Sequence, residues 1–173
     1  MQEHSYSFEV DGTPEEAWLA LHPPVKPAPP GERRVIEHGP VRIEIISEGD
    51  ENGEGLVRTC WFRVPKLLLS RGVGRSWECV VVSQPPTLSR YEAIGKPLWS
   101  KASGWHKLED LGDGRTRIEF GETYHVFNPA MRVLLERYVH RFISKDNDKL
   151  VQSAIEQGIA YRRAKAAKQA GGS

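Results

Sequence analysis

The stretch HSYSFEVDGTPEEAWLAL (residues 4–21) decides how the rest of the chain is interpreted. Tyr6, Phe8 and Val10 alternate with polar residues, which is typical of a half-buried strand. Thr13 is a favoured helix cap, and it precedes a proline and two glutamates that suit the first turn of a helix. The sequence therefore predicts a strand that turns directly into a short helix.

The rest of the chain contains strand-like segments followed by one long helix. Candidate strands span residues 33–36, 41–46, 56–64, 77–83, 88–94, 101–111 and 115–126. Tight turns between them, such as the GDG sequence at 112–114, predict antiparallel pairing. Asn128 is a favoured cap, no proline follows Pro129, and apolar residues recur at helical spacing from Met131 to Ile143. We therefore expect an α+β fold.

The helical pattern changes phase near Ser144. At roughly 100° per residue, the apolar positions around Leu150 and Ile155 fall on a different face from those before Ser144. Either the helix bends there, or its second half packs on another element. From residue 163 to 173 the chain is basic and rich in small residues, which predicts a flexible tail rather than a nucleic-acid-binding segment.

Composition limits the class of protein. The 173 residues, 39% of them hydrophobic and 27% charged, are typical of one globular domain spanning 1–173. The net charge of +1 predicts no binding of nucleic acid, and the sequence has no apolar run suited to stable membrane insertion. Because the N-terminus has no signal-peptide pattern and Cys60 and Cys79 read as reduced thiols, we expect a cytoplasmic protein.

This order of elements resembles the START-like (SRPBCC) family, which includes polyketide cyclases and dehydrases. The resembling segments are the first strand with TPEEAW (13–18), GETYHVFNP (121–129) and the helix from Ala130. The resemblance implies a helix-grip fold, in which a curved antiparallel sheet of about six or seven strands wraps around the last helix and encloses a cavity. The proline-rich segment 22–31 departs from the family pattern, since members often place short helices there to cover the cavity mouth.

Ligand-contacting residues are predicted from strand alternation and from the resemblance. If the aromatic strand faces look inward, they line a cavity, although the pattern alone fits a solid core equally well. With Trp105 and Tyr124 inward, His106 and His125 would face solvent. The predicted ligand-contacting residues are Trp18, Arg58, Trp61, Trp77, Tyr91, Trp105, Phe120, Leu135, Tyr138 and Phe142.

Glu122 and Tyr124 are the candidate catalytic residues. An inward carboxylate must lie near a cation, accept hydrogen bonds or have a raised pKa. A glutamate of raised pKa in an apolar pocket is suited to remove a proton next to a carbonyl, while Tyr124 or Arg58 stabilises the oxyanion. The alternative is a solvent-facing position at a sheet edge. For Glu122 the inward and solvent-facing positions are equally expected, whereas for Arg58 and Glu78 the solvent-facing position is favoured.

The expected function is binding of an apolar or aromatic small molecule, such as a lipid, polyketide or isoprenoid-like compound. The six histidines show no metal-ligand spacing, and no phosphate loop or nucleophile motif is present, so neither metal nor cofactor is predicted. A cyclase or dehydratase that uses an inward carboxylate is the alternative. A protein-interaction module is a weaker one, and the pattern indicates no particular oligomeric state.

Overall fold

The computed structural model describes residues 1–22, 32–38, 41–68, 70–96 and 98–170, with only the backbone given at 38, 96, 146, 147, 149 and 170. Most of the proline-rich segment therefore lies outside the described residues. The strands are β1 (Gln2–Asp11), β2 (Arg34–His38), β3 (Val41–Ser47), β4 (Val57–Arg63), β5 (Val73–Gln84), β6 (Leu88–Lys96), β7 (Ser100–Gly112) and β8 (Arg115–Val126). The helices are α1 (Pro14–Leu21), α2 (Pro129–Met131) and α3 (Arg137–Ala170), with a π-helical segment (Arg132–Glu136) between the last two and a 3-10 turn at Lys66–Leu68.

The strands form one curved antiparallel sheet. In the described part of the chain it has eight strands, in the order β1-β8-β7-β6-β5-β4-β3-β2, one more than the upper expected number. The C-terminal helix, residues 129–170, lies along the concave face, so the predicted helix-grip fold is confirmed. The short β2 completes the far edge by pairing with β3.

Helix α1 begins at the cap that the sequence predicts. The side chain of Thr13 accepts a hydrogen bond from the Glu16 amide, while the Glu16 carboxylate accepts one from the Thr13 amide at 3.0 Å. Arg163 donates two hydrogen bonds to the same carboxylate, at 2.9 and 2.7 Å. This contact ties α3 to α1. Helix α3 extends to Ala170, so the tail predicted from residue 163 is helical over most of its length.

The second half of α3 packs on a different element, which decides between the two alternatives that the phase change left open. Ile155 and Ile159 are buried in a core cluster with Val10, Trp18 and Ile118. Gly158 lies so close to α1 that an added Cβ would stand 2.9 Å from the Cβ of Ala20. The apolar stripe therefore shifts because the helix meets the sheet first and α1 later.

The strand connections lie at two opposite ends of the sheet. Antiparallel pairing places the β4–β5 and β6–β7 connections, the end of β8 and the start of the C-terminal helix at one end, called the mouth end below. The β3–β4, β5–β6 and β7–β8 turns lie at the opposite end. The core cluster of α1 and α3 covers the concave face towards that opposite end, which leaves the mouth end less filled.

Candidate functional site

The strand register shows which side chains face the C-terminal helix. Tyr124 of β8 stacks on His140 of α3, with ring centroids 5.7 Å apart, so the strand face of Tyr124 is the concave one. Cross-strand pairing carries this face over the sheet, since residues directly opposite each other share a face. The row that contains Tyr124 continues through Ala102, Ala93, Glu78 and Arg58.

Three of the tryptophans predicted to line the cavity lie on the convex face instead. The guanidinium of Arg75 lies 5.3 Å from the ring centre of Trp61 and 4.4 Å from that of Trp77. Trp105 covers Gly121, where an added Cβ would stand 2.4 Å from the indole ring. Cation–π contacts hold Trp61 and Trp77 on the convex face, and Trp105 packs there over the glycine. The prediction for Trp61, Trp77 and Trp105 is wrong, because alternation separates the two faces of a strand without saying which is inward.

Small residues form the centre of the concave face. Where bulky side chains would otherwise meet the helix, the strands carry Ser76, Ala93, Gly95, Ser100, Ala102 and Gly104. Tyr91, a predicted ligand-contacting residue, lies over Gly104, where an added Cβ would stand 2.4 Å from the ring. The side chains at the centre of the concave face are therefore short, and larger side chains border them. This central area is called the floor below.

An ion pair between Arg58 and Glu78 stands beside this floor. The Arg58 Nε donates to Glu78 at 2.9 Å, and the Ser76 hydroxyl donates to the other carboxylate oxygen at 2.8 Å. Burial by itself lowers the pKa of Arg58, but the Glu78 charge outweighs it and raises the pKa. The side chains are 28% and 13% exposed, so water reaches the pair. The solvent-facing position at a sheet edge, favoured for Arg58 and Glu78, is wrong because both residues lie on the concave face.

Two histidines form a second polar pair near the same face. The Nε2 atoms of His22 and His106 are 2.8 Å apart, so one ring donates a hydrogen bond to the other. Burial and the charge of Arg58 lower the pKa of His22 to about 4, and burial, His22 and Arg58 lower that of His106 to about 3. Both rings are therefore neutral at pH 7.

The histidine pair is the feature that sequence reasoning missed. His106 was expected to face solvent, but it is inward and 8% exposed because its neighbour Trp105 points outward. His22 caps the end of α1 and stacks on Trp18, with ring centroids 4.3 Å apart. The available signal was the spacing of four between Trp18 and His22, which is one helical turn. The ring centroid of Phe120 lies 5.4 Å from that of His106, so Phe120 packs against the histidine pair.

Glu122 is inward, and it is held by hydrogen bonds. Its carboxylate accepts a hydrogen bond from the Ser144 hydroxyl and lies 3.5 Å from the Nε2 of His140. Burial raises the pKa of Glu122, but the nearby His140 and the Ser144 hydroxyl outweigh this and hold the pKa below its usual value. Burial raises the pKa of Tyr124. Glu122 is thus ionised rather than a base of raised pKa, and the catalytic roles of both residues remain predictions.

The remaining predicted residues on the C-terminal helix lie at the mouth end. Tyr138 is 51% exposed, and it lines a cleft of about 500 Å³ together with Phe142. Leu135, two helical turns before Phe142, is half-buried. The opposite wall of this cleft, called the mouth cleft below, comes from the β4–β5 connection: Arg63, Val64, Pro65, Lys66, Leu67, Arg71 and Gly72.

Among the described residues, neither the two thiols nor the side chains able to bind a metal form a second site. Cys60 and Cys79 are both free, on opposite faces of neighbouring strands. Burial raises the pKa of the Cys60 thiol, so it stays protonated at neutral pH. Within the described residues, no three His, Cys, Asp or Glu side chains are grouped as metal ligands, and no helix is long and apolar enough to cross a membrane.

The described chain has a helix-grip fold, and its concave side carries charged and titratable groups. Solved structures with the same fold include the Zhui aromatase/cyclase from Streptomyces sp. R1128, with a TM-score of 0.67 at 13% identity over 93% of this chain and 94% of that one. A norcoclaurine synthase point mutant from Thalictrum flavum, in complex with a transition-state analogue, gives 0.59 at 15% identity, covering 94% and 96%.

The Ara h 8.0201 structure is similar as well, with a TM-score of 0.58 at 20% identity over 92% of this chain and 99% of that one. No protein-family model matches the sequence, and no curated protein sequence matches it significantly. The family resemblance inferred from the element order is thus confirmed at the level of the fold.

Proposed function

We propose that the protein binds a largely apolar small molecule with oxygen-bearing groups between the concave sheet face and the C-terminal helix. The observation that carries this proposal is the accessible Arg58–Glu78 pair beside a floor of alanine, glycine and serine. A core packed only for stability gains little from a charged pair there, because desolvating both charges offsets much of their attraction. A ligand oxygen that accepts a hydrogen bond from Arg58 explains why a charged pair lies there.

The chemical class follows from the groups that border the space. Phe120 and Phe142 supply apolar contact, whereas Arg58 supplies a fixed cation and Tyr91 a hydroxyl. Burial raises the pKa of Tyr91, so the hydroxyl remains a neutral donor. Such a site favours aromatic or polyketide-like molecules with carbonyl or phenolic oxygens over plain hydrocarbon chains, because few placed polar groups fix the orientation of an apolar ligand.

The test uses 1-anilinonaphthalene-8-sulfonate, an aromatic anion whose fluorescence rises in apolar surroundings. Ala102→Leu fills the floor, while Ser103→Leu makes a similar change at the next residue, on the convex face. We expect Ala102→Leu to weaken dye binding at least tenfold and Ser103→Leu to leave it unchanged. Equal affinities for both variants, each checked for an unchanged circular dichroism spectrum, would place the dye elsewhere and refute the proposal.

A second candidate function is catalysis by proton transfer, which the His22–His106 pair favours. A neutral imidazole near an arginine can remove a proton next to a carbonyl while the cation stabilises the enolate, as cyclisation and dehydration require. In this scheme His106, rather than Glu122, is the base, because its ring is uncharged at pH 7. Its lowered pKa makes it a weak base, which suits only a proton that is already acidic, such as one between two carbonyl groups. Glu122 is already ionised, and it is engaged by Ser144 and His140.

Hydrogen exchange separates a catalyst from a binder. A 1,3-diketone with an aromatic ring is incubated with the protein in D₂O, and deuterium uptake at its central carbon is followed by NMR. We expect exchange faster than in buffer, lost in His106→Gln and kept in Tyr6→Phe. Binding of the diketone without acceleration would leave the binding function standing and remove the catalytic one.

A further inference from the structure

Large apolar side chains are exposed together at the mouth end. Val133 is 86% exposed and Leu134 73%, at the start of the C-terminal helix. Leu67 of the 3-10 turn is 54% exposed, and Trp99 of the β6–β7 connection is 52% exposed. The Phe127 amide donates to the Trp99 carbonyl at 3.0 Å, so these segments adjoin. Leu67 and Tyr138 line the mouth cleft, while Trp99, Val133 and Leu134 lie at the same end of the sheet. These five side chains are called the apolar rim below.

Cations outnumber carboxylates in the segments that form the apolar rim. The segments 55–77 and 93–108 contain no Asp or Glu, and the only acid in 123–145 is Glu136, which is 2% exposed. Among the described residues, Arg63, Lys66 and Arg71 of the β4–β5 connection form no ion pair. The β3–β4 turn at the opposite end has the reverse sign, since the segment 43–57 contains five acids and no Lys or Arg. The net charge of +1 hides this separation.

We propose that the apolar rim docks the protein on an anionic membrane surface, with the mouth cleft facing the lipid. Exposed aliphatic side chains, an aromatic pair and unpaired cations at one end are what an interfacial site requires, because the apolar groups enter the headgroup region while the cations meet anionic lipids. Trp99 and Tyr138 are the residue types enriched at that boundary. The site makes a peripheral contact and inserts no spanning segment.

Two other occupants fit the surface less well. A second copy placed symmetrically would set one cationic rim against the other, since a two-fold interface pairs each patch with itself. An acidic protein would meet the charge, but Val133 and Leu134 stand almost free rather than lining a shaped groove. A fluid apolar layer accommodates such side chains without requiring shape complementarity.

The test is sedimentation with phosphatidylcholine vesicles, with and without phosphatidylserine, at low and high salt. We expect binding only with phosphatidylserine, weakened by salt because screening shortens the reach of the charges. Each cation removed should lower the partition coefficient roughly fivefold, so the Arg63→Gln, Lys66→Gln, Arg71→Gln triple variant should lose roughly a hundredfold. Val133→Ser with Leu134→Ser should also abolish binding.

Two controls keep the result specific. Ile46→Ser removes an aliphatic side chain of 47% exposure near the acidic end and should leave binding unchanged. Brominated lipid should quench part of the tryptophan fluorescence, and this part should disappear in Trp99→Phe. Absence of binding to phosphatidylserine vesicles, equal loss in Ile46→Ser, or a dimer that Val133→Ser with Leu134→Ser dissociates would overturn the proposal. Because vesicle binding needs no ligand on the concave face, failure of the proposed function would leave this test intact.

Discussion

Acid should destabilise this protein through the His22–His106 pair well before its carboxylates titrate. The unfolded imidazoles gain protons below their ordinary pKa of 6.5, whereas the folded rings remain neutral down to about 4 and about 3. The unfolded state therefore binds more protons in this window, and the free energy of unfolding falls as the pH falls. Between pH 6.5 and about pH 5, each ring contributes about 1.6 kcal/mol, or about 3 kcal/mol for the pair.

Urea unfolding at several pH values over this window measures the effect. Glu122 and Glu136, whose pKa values are lowered from 4.5, do not contribute until more acidic solution, so the window isolates the histidines. The double variant His22→Gln, His106→Gln keeps a hydrogen-bonding pair that does not titrate, and it should lose most of the slope. Tyr6→Phe, which removes the bond to Gln152, should keep it. A flat wild-type profile, or the same slope in the double variant, would refute the reasoning.

Three substitutions test the local physics of the fold. Thr13→Ala should cost about 1 kcal/mol of unfolding free energy, measured in urea, while Thr13→Ser should cost far less, because only the first removes the capping acceptor. Gly104→Ala should cost roughly 1–3 kcal/mol and displace the Tyr91 ring, visible as a changed near-UV spectrum, whereas an unchanged spectrum would contradict the close contact. Arg58→Met should cost roughly 2 kcal/mol, below the range for fully buried pairs because the side chain is partly exposed, and the further change Glu78→Met should restore stability; no recovery would show that the pair is not the cause.

Local signals in the sequence were sufficient for the fold. The cap at Thr13, the cap at Asn128 and the glycine-rich turns each act within a few residues, so the element order could be predicted from them. The π-helical segment at Arg132–Glu136 had no such signal. The end of α3 was also missed, because the contact of Arg163 with Glu16 joins positions 147 apart in sequence.

The site was less predictable, because strand alternation fixes two faces without naming the inner one. Aromatic residues were expected inside, yet Trp77 is stabilised outside by Arg75, while the charged Arg58 is inside with Glu78 as its partner. The strand register shows which residues share a face of the sheet. The contact of Tyr124 with His140 then shows which of the two faces is concave. Apolarity alone was a poor guide here because the concave face includes the charged Arg58–Glu78 pair.

Native mass spectrometry of the purified protein, followed by denaturing extraction, tests the proposed small-molecule binding most directly. We expect a passenger at one copy per chain, with an aromatic or polyketide-like skeleton and carbonyl or phenolic oxygens. The passenger should be retained in Ser103→Leu and lost in Ala102→Leu. A chain that carries no passenger, and that no panel of such compounds stabilises against heat, would contradict a binding site on the concave face.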